Sequence, residues 1–198
     1  MATHEPPLLV LAFTLALALF TGCKEGQKPG GEAASGSATS TPAAAAPAKP
    51  GFTPQTYDGV TFQYPSGWSS APSEEGKGQM VAAPDADGEW PPSVSFTVFD
   101  NLATPDLQKA VDDAAVTLQR KDRFVLKEKT VASHPGGFKY GRVEYTSERG
   151  AISLTQWEIL VPMSGGKRLV VHANATTEDW AKYQPVLAEI VDSIRLPK

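Results

Sequence analysis

Residues 24 to 54 read KEGQKPGGEAASGSATSTPAAAAPAKPGFTP, and 24 of these 31 positions are Ala, Gly, Ser, Thr or Pro. Phe52 is the only large apolar side chain among them. A segment this poor in apolar surface cannot offset its conformational entropy by burial, so it is expected to be a flexible linker. Its random-coil reach is on the order of 30 Å. Whatever folds must therefore be built from the residues that follow, and the composition sets the start of a folded domain at 56, giving 56–198.

Ahead of the linker, Leu8 to Phe20 runs LLVLAFTLALALF, thirteen residues without a charge. That length suits the apolar region of a signal peptide and is short for a helix that crosses a bilayer. The small residues Thr21 and Gly22 then lead into Cys23, the only cysteine of the chain. One cysteine makes no intramolecular disulfide and no thiolate zinc site. The stretch LFTGC resembles the lipobox of bacterial lipoproteins, with Phe20 where that family prefers Leu and no Lys or Arg in the opening MATHEPP. The resemblance implies a lipoprotein signal peptide over 1–22, cleaved before Cys23. It further implies a diacylglyceryl group on the Cys23 sulfur and acylation of the new amino terminus. Two or three such chains anchor stably, since each buried methylene contributes about 0.8 kcal/mol. Residues 23–55 are then the lipidated cysteine and its stalk. By the same resemblance, Lys24 in place of Asp favours the periplasmic face of the outer membrane.

The formal net charge is −4, from 18 basic and 22 acidic residues, and no window holds a run of Lys or Arg. Nucleic-acid partners, which require clustered cations, are not expected.

From Tyr57 onward apolar and polar residues alternate. In GVTFQYP, Val60, Phe62 and Tyr64 fall on one strand face. YPSGW follows, with Pro65 fitted to the second position of a type I turn, Gly67 to the fourth, and Trp68 anchoring the turn on the core. QMVAAP and SVSFTVFD read as two further strands around the polar loop DADGEWPP. A helix comes next, with Thr104 as N-cap and Pro105 at the first helical position. Its apolar stripe is Leu107, Ala110, Val111, Ala114, Ala115 and Leu118. RFVLKEKTVAS, an HPGG turn of type II with positive φ at Gly136, and FKYGRVEYTSE continue the chain. RGAISLTQWEILVP and GKRLVVHANA complete an antiparallel meander. The closing segment keeps helical spacing through Trp180, Tyr183, Leu187, Ile190, Val191 and Ile194, with Pro185 expected to kink or restart the helix. Strands in a run with one inserted and one final helix predict a single α+β domain, an antiparallel sheet of about six to seven strands flanked by helices.

VTFQYPSGW, the inserted amphipathic helix, HPGGFKYGRVEY and the closing YQPVLAEIVDSIRL resemble the superfamily that contains photosystem II PsbP and bacterial DcrB-like lipoproteins. The resemblance spans most of residues 57 to 198. It implies a PsbP-like antiparallel sheet between helices and a role as a binding or assembly factor. None of the shared motifs is catalytic, and no metal site of the PsbP proteins has matching residues here.

Asp85, Asp87 and Glu89 alternate in DADGE as the first oxygen ligands of an EF-hand loop do. Gly88 comes two positions early and no Glu closes the loop at the twelfth, so a solvated acidic loop is the favoured reading and no metal site is expected. His134 sits beside a Pro-Gly-Gly turn, and His172 shares a strand face with Arg168 and Val170, opposite Leu169, Val171 and Ala173. Neither has a GxSxG context, and both read as surface histidines. SGGKR lacks the GxxxxGK[ST] pattern of a phosphate loop, so no cofactor is expected. The Asn174-Ala175-Thr176 sequon has meaning only in a eukaryotic secretory route. Trp90, in DGEWPP, is a candidate protein-binding anchor, with packing back onto the sheet as the favoured alternative.

These features predict a lipid-anchored protein of the bacterial cell envelope, non-enzymatic, that binds another envelope protein. An envelope small-molecule binder or enzyme with a pocket between sheet and helices is the alternative. That alternative requires convergent polar residues on inward strand positions, which the sequence does not display.

Overall fold

The computed structural model describes residues 48–73, 77–84, 90–100 and 106–198. Residues 1–47, with Cys23 and most of the linker, lie outside the described residues, as do Asp85, Asp87 and Glu89 and the pair Thr104 and Pro105.

β1 (Phe52–Tyr57) and β2 (Val60–Pro65) form an antiparallel hairpin in which Phe52 faces Pro65 and Tyr57 faces Val60. Asp58 and Gly59 between them have φ of 46° and 77°, the left-handed pair that a two-residue Asp-Gly hairpin turn requires. The folded unit thus takes in residues 52–55, four positions before the boundary that composition suggests. The period-two pattern of β2 buries Val60, Phe62 and Tyr64, and the Phe62 ring stacks on Phe96 with centroids 3.8 Å apart. At YPSGW the Trp68 N–H donates to the Pro65 carbonyl. Pro65 is therefore the first residue of that turn, one position earlier than its ring preference suggests.

The remaining strands are β3 (Ser69–Pro72), β4 (Gly78–Ala82), β5 (Ser93–Phe99), β6 (Val125–Ser133), β7 (Lys139–Arg149), β8 (Ile152–Pro162) and β9 (Arg168–Thr176). They make one seven-stranded antiparallel sheet in the order β3-β4-β5-β9-β8-β7-β6. The last strand of the chain sits in the middle, paired to β5 on one side and β8 on the other.

The two faces of this sheet are finished differently. On one face Val81, Val94, Phe96, Trp157, Ile159, Leu169, Val171 and Ala173 meet the β1–β2 hairpin and helix α2 (Trp180–Asp192). Trp180 packs edge-on against Trp157, with centroids 4.9 Å apart. Helix α2 does not restart at Pro185. Trp180 before it and Leu187, Ile190 and Val191 after it are buried on the same sheet, and that burial outweighs the one backbone bond the proline lacks. Past the helix, Arg195 exchanges two backbone bonds with Thr61 and extends β2 by one bridge.

On the other face helix α1 (Leu107–Leu118) lies over β7 and β8. Its stripe of Ala110, Val111, Ala115 and Leu118 packs on Val143, Tyr145 and Leu160. The helix starts later than the sequence suggests. Asp106 is the N-cap, its carboxylate accepting the Lys109 N–H at 3.1 Å, which satisfies one of the free amide groups of the first turn. Gly141 of β7 lies directly beneath, and a Cβ there would land on Val111 Cγ2.

The HPGG turn also departs from expectation. Positive φ falls at Gly137 (86°), not at Gly136, because the Gly136 N–H is turned toward His134 Nδ1 at 2.8 Å. His134 itself is buried, not on the surface. With Nδ1 accepting, the ring proton sits on Nε2 and donates to the Val191 carbonyl at 2.9 Å, while Phe138 stacks on the ring at 4.1 Å. The imidazole ties the β6–β7 turn to the end of α2, and burial holds its pKa below the ordinary value.

Candidate functional site

Helix α1 covers only the β6–β7–β8 half of its face. Strand pairing sets Ser93 beside Asn174, Ser95 beside His172 and Thr97 beside Val170, and these side chains share the face that carries Leu160 and Tyr145. No helix or strand among the described residues lies over this β4–β5–β9 half. The pattern S-x-S-x-T in SVSFTVFD was the one signal of it in the sequence, since alternate hydroxyls mark a strand face that is not packed.

Trp90 folds back over this open half. Its indole Nε1–H donates to Asn174 Oδ1 at 2.6 Å, and Asn174 Nδ2 donates in turn to Ser93 Oγ at 3.1 Å. Arg149, at the end of β7, lays its guanidinium over the Trp90 ring, 4.6 Å from the centroid. Of the two readings of Trp90, packing onto the sheet describes its seat, and the ring stays partly exposed there. Two depressions meet at Trp90, Arg149 and His172. The larger, about 480 Å³, runs over β4 and β5 past Ser95, Thr97 and Lys77. The smaller, about 350 Å³, runs toward the residues after α1, past Gln156, Ser147 and Lys121.

Beneath the junction lies a polar network. His172 Nε2 is 2.8 Å from Gln156 Oε1, an atom that can only accept, so Nε2 carries the proton. Gln156 Nε2 donates to Ser147 Oγ at 2.6 Å. The Tyr145 hydroxyl sits 3.2 Å from His172 Nε2 and accepts from Lys121 Nζ at 2.8 Å. Glu158, one step along β8, lines a further hollow against α1 with Asp113, Thr117 and Arg168.

Burial shifts four groups of this cluster. It pushes the His172 imidazole down to about 3, with the Lys121 charge acting in the same direction. It pushes Glu158 up to about 7, opposed by Lys121. Tyr145 is raised and Lys121 lowered, again chiefly by burial. His172 is therefore a partly buried neutral group on the shared wall of both depressions, where the sequence suggested a surface residue. Several perturbed groups beside a cleft are a physical mark of a functional site.

The sequence singled out Trp90 and missed Arg149, Ser95, Thr97 and the role of His172. It saw Asn174 only as a sequon. Cys23, Asp85, Asp87 and Glu89 lie outside the described residues. Among the described residues no three His, Cys, Asp or Glu side chains gather as metal ligands would.

No protein-family model and no curated protein matches the chain. Several solved structures are similar in fold. The cyanobacterial PsbP protein, CyanoP, of Synechocystis sp. PCC 6803 superposes with a TM-score of 0.58 at 13% identity, over 75% of this chain and 94% of that one. LpqN, involved in cell envelope biogenesis of Mycobacterium tuberculosis, gives 0.56 at 17% identity, over 76% and 87%. The Ran-binding protein Mog1p of Saccharomyces cerevisiae gives 0.53 at 12% identity, over 73% and 95%. The chain has a PsbP-like α+β fold.

Proposed function

We propose that this is a non-enzymatic binding protein of the bacterial cell envelope, anchored through lipid on Cys23, and that the open β4–β5–β9 half of the sheet is where it holds its partner. One observation carries the reading: the β1–β2 hairpin and α2 cover the β4–β5–β9–β8 part of one sheet face, while on the other face no element among the described residues lies over β4–β5–β9, a polar surface ordered around Trp90 and Arg149. Aromatic and arginine side chains at the centre of a surface are the residues that dominate binding energy at interfaces. The lipobox resemblance supports the anchor and the envelope. Similarity in fold to LpqN, a protein of envelope biogenesis, and to Mog1p, which binds Ran, supports a binding role.

The site's chemistry supports binding over catalysis. Both ring nitrogens of His134 are spent on backbone groups, and the His172 ring meets Gln156 and Tyr145 and, among the described residues, no Ser, Thr or carboxylate within hydrogen-bond distance. Ser147 accepts from Gln156 and, among the described residues, has no base in hydrogen-bond contact. A nucleophile needs a base within hydrogen-bond reach.

The second reading, a small-molecule binder, is favoured by the larger depression, since about 480 Å³ lies within the range of ligand pockets.

A photo-crosslinking amino acid in place of Trp90, irradiated in intact cells, is expected to capture one recurrent envelope protein. The same probe in place of the exposed Val116 on α1 serves as control. Equal capture from both positions would remove the open half-sheet as the binding surface.

A further inference from the structure

The larger depression is lined by hydrogen-bond donors that no described residue uses. The Arg149 guanidinium lies over the Trp90 ring, 4.6 Å from its centroid, a cation–π contact that uses none of its N–H donors. Among the described residues that guanidinium has no hydrogen-bond or ion-pair partner, and neither has the Lys77 ammonium on the same wall. The hydroxyls of Ser95 and Thr97 are likewise unpartnered among the described residues. Several cations elsewhere do find carboxylates: Arg123 meets Glu148, Arg142 meets Glu128, Lys129 meets Asp112, and Lys167 lies between Asp58 and Asp100. Among the described residues no Asp or Glu lines the larger depression, in a chain whose net charge is −4.

Two cations and two hydroxyls around one hollow, without partners among the described residues, suit a ligand that brings acceptors. The guanidinium fork matches the two oxygens of a carboxylate or a phosphate. Its stacking on Trp90 removes rotamer freedom before any ligand arrives, so less ordering has to be done on binding. Trp90 is itself held, since its N–H is committed to Asn174. The volume is that of a small-molecule site.

We propose that the depression between Trp90 and β5 is a binding site for a small ligand bearing a phosphate or carboxylate oxyanion, received by Arg149 with Lys77, Ser95 and Thr97 along the wall. This rests on the reading of the open half-sheet as the binding surface and deepens it with a ligand class. The two fail differently. A crosslinked protein partner with no oxyanion response removes only the ligand class, and an Arg149-dependent oxyanion response without a protein partner leaves the pocket standing alone.

The test is a titration of the full chain carrying Cys23→Ser, followed by the indole N–H resonances of its four tryptophans in ¹H–¹⁵N spectra, with Trp90 assigned by Trp90→Phe. The probes are inorganic phosphate, acetate, and dihexanoyl phosphatidic acid below its micelle concentration. Sodium chloride at matched ionic strength is the control. The Trp90 indole is expected to shift saturably with at least one oxyanion while Trp157 and Trp180 stay in place. A response to phosphate or acetate assigns a soluble ligand; a response to the short-chain lipid alone assigns a headgroup. Arg149→Gln is expected to weaken the response at least tenfold. Arg149→Lys, which keeps the charge and loses the fork, should weaken it as well, and Lys127→Gln on β6 should leave it unchanged. The same titration curve in wild type and Arg149→Gln, or the same shift with sodium chloride, would overturn the proposal.

Discussion

Glu158 and His172 face each other across β8 and β9 and carry opposite pH signatures. Glu158 holds its proton to about pH 7 in the folded chain against an ordinary 4.5. Its contribution is complete below pH 4.5 and is lost as pH rises through 7. His172 stays neutral down to about pH 3 against an ordinary 6.5. Its contribution is present above pH 6.5 and is lost as pH falls toward 3. Each group changes stability by about 1.4 kcal/mol per pH unit within its window, so between pH 4.5 and 6.5 the two slopes cancel. Glu158→Gln removes one of them. Relative to wild type, this variant is expected to gain roughly 2 kcal/mol between pH 5 and pH 8, as read by urea denaturation at both values. A difference that does not change with pH would mean that Glu158 is ionised in the folded chain.

At the level of elements, the contact between α1 and β7 depends on the missing side chain of Gly141. A methyl group there would overlap Val111 Cγ2, and forcing extra volume into a packed contact costs about 1–3 kcal/mol. Gly141→Ala is expected to destabilise by that amount in chemical denaturation. Adding Val111→Ala should recover part of the loss, since it vacates the space the new methyl needs. If the double variant is no more stable than the sum of the two single changes, the helix is not seated by this contact. The helix stripe from Leu107 to Leu118, the alternation of Val60, Phe62 and Tyr64, and the β7–β8–β9 meander were all legible, because each is a local periodicity. The turns were less so. His134 redirected the Gly136 amide from 57 residues away from its other anchor at Val191, a cause that no local rule contains. β1 was hidden because its sequence, FTPQTY, shares the Thr and Pro content of the residues before it, although the Asp58-Gly59 turn beside it was a usable signal.

For the whole molecule, the sheet order decides what the site is. Ser95 and Thr97 come to stand beside His172 and Val170 only because β9 enters between β5 and β8. That insertion joins residues more than 70 positions apart, and alternation within one strand cannot reveal which of its faces will be left uncovered. The proposed lipid anchor belongs to this scale as well. Cys23→Ser is expected to leave a folded domain that is released from membranes or remains unprocessed, checked by fractionation and by the mass of the mature amino terminus. A cleaved Cys23→Ser form retained on membranes as wild type is would remove the lipid from the account.

The chain enters the described domain at a fastened point. The Lys49 N–H donates to Gln63 Oε1, its ammonium pairs with Glu189 on α2 at 2.9 Å, and it sits over the Phe52 ring. Under mechanical load from the amino-terminal side, this knot takes the tension first. Once it slips, β1 unzips from β2 one pair at a time, beginning where Phe52 meets Pro65. Unzipping breaks bonds singly and so yields at low force. The seven-stranded sheet is outside that line of pull until the hairpin has opened. The hairpin is thus placed as a fuse, giving way before the strands that carry Ser95, His172 and Arg149 bear any strain.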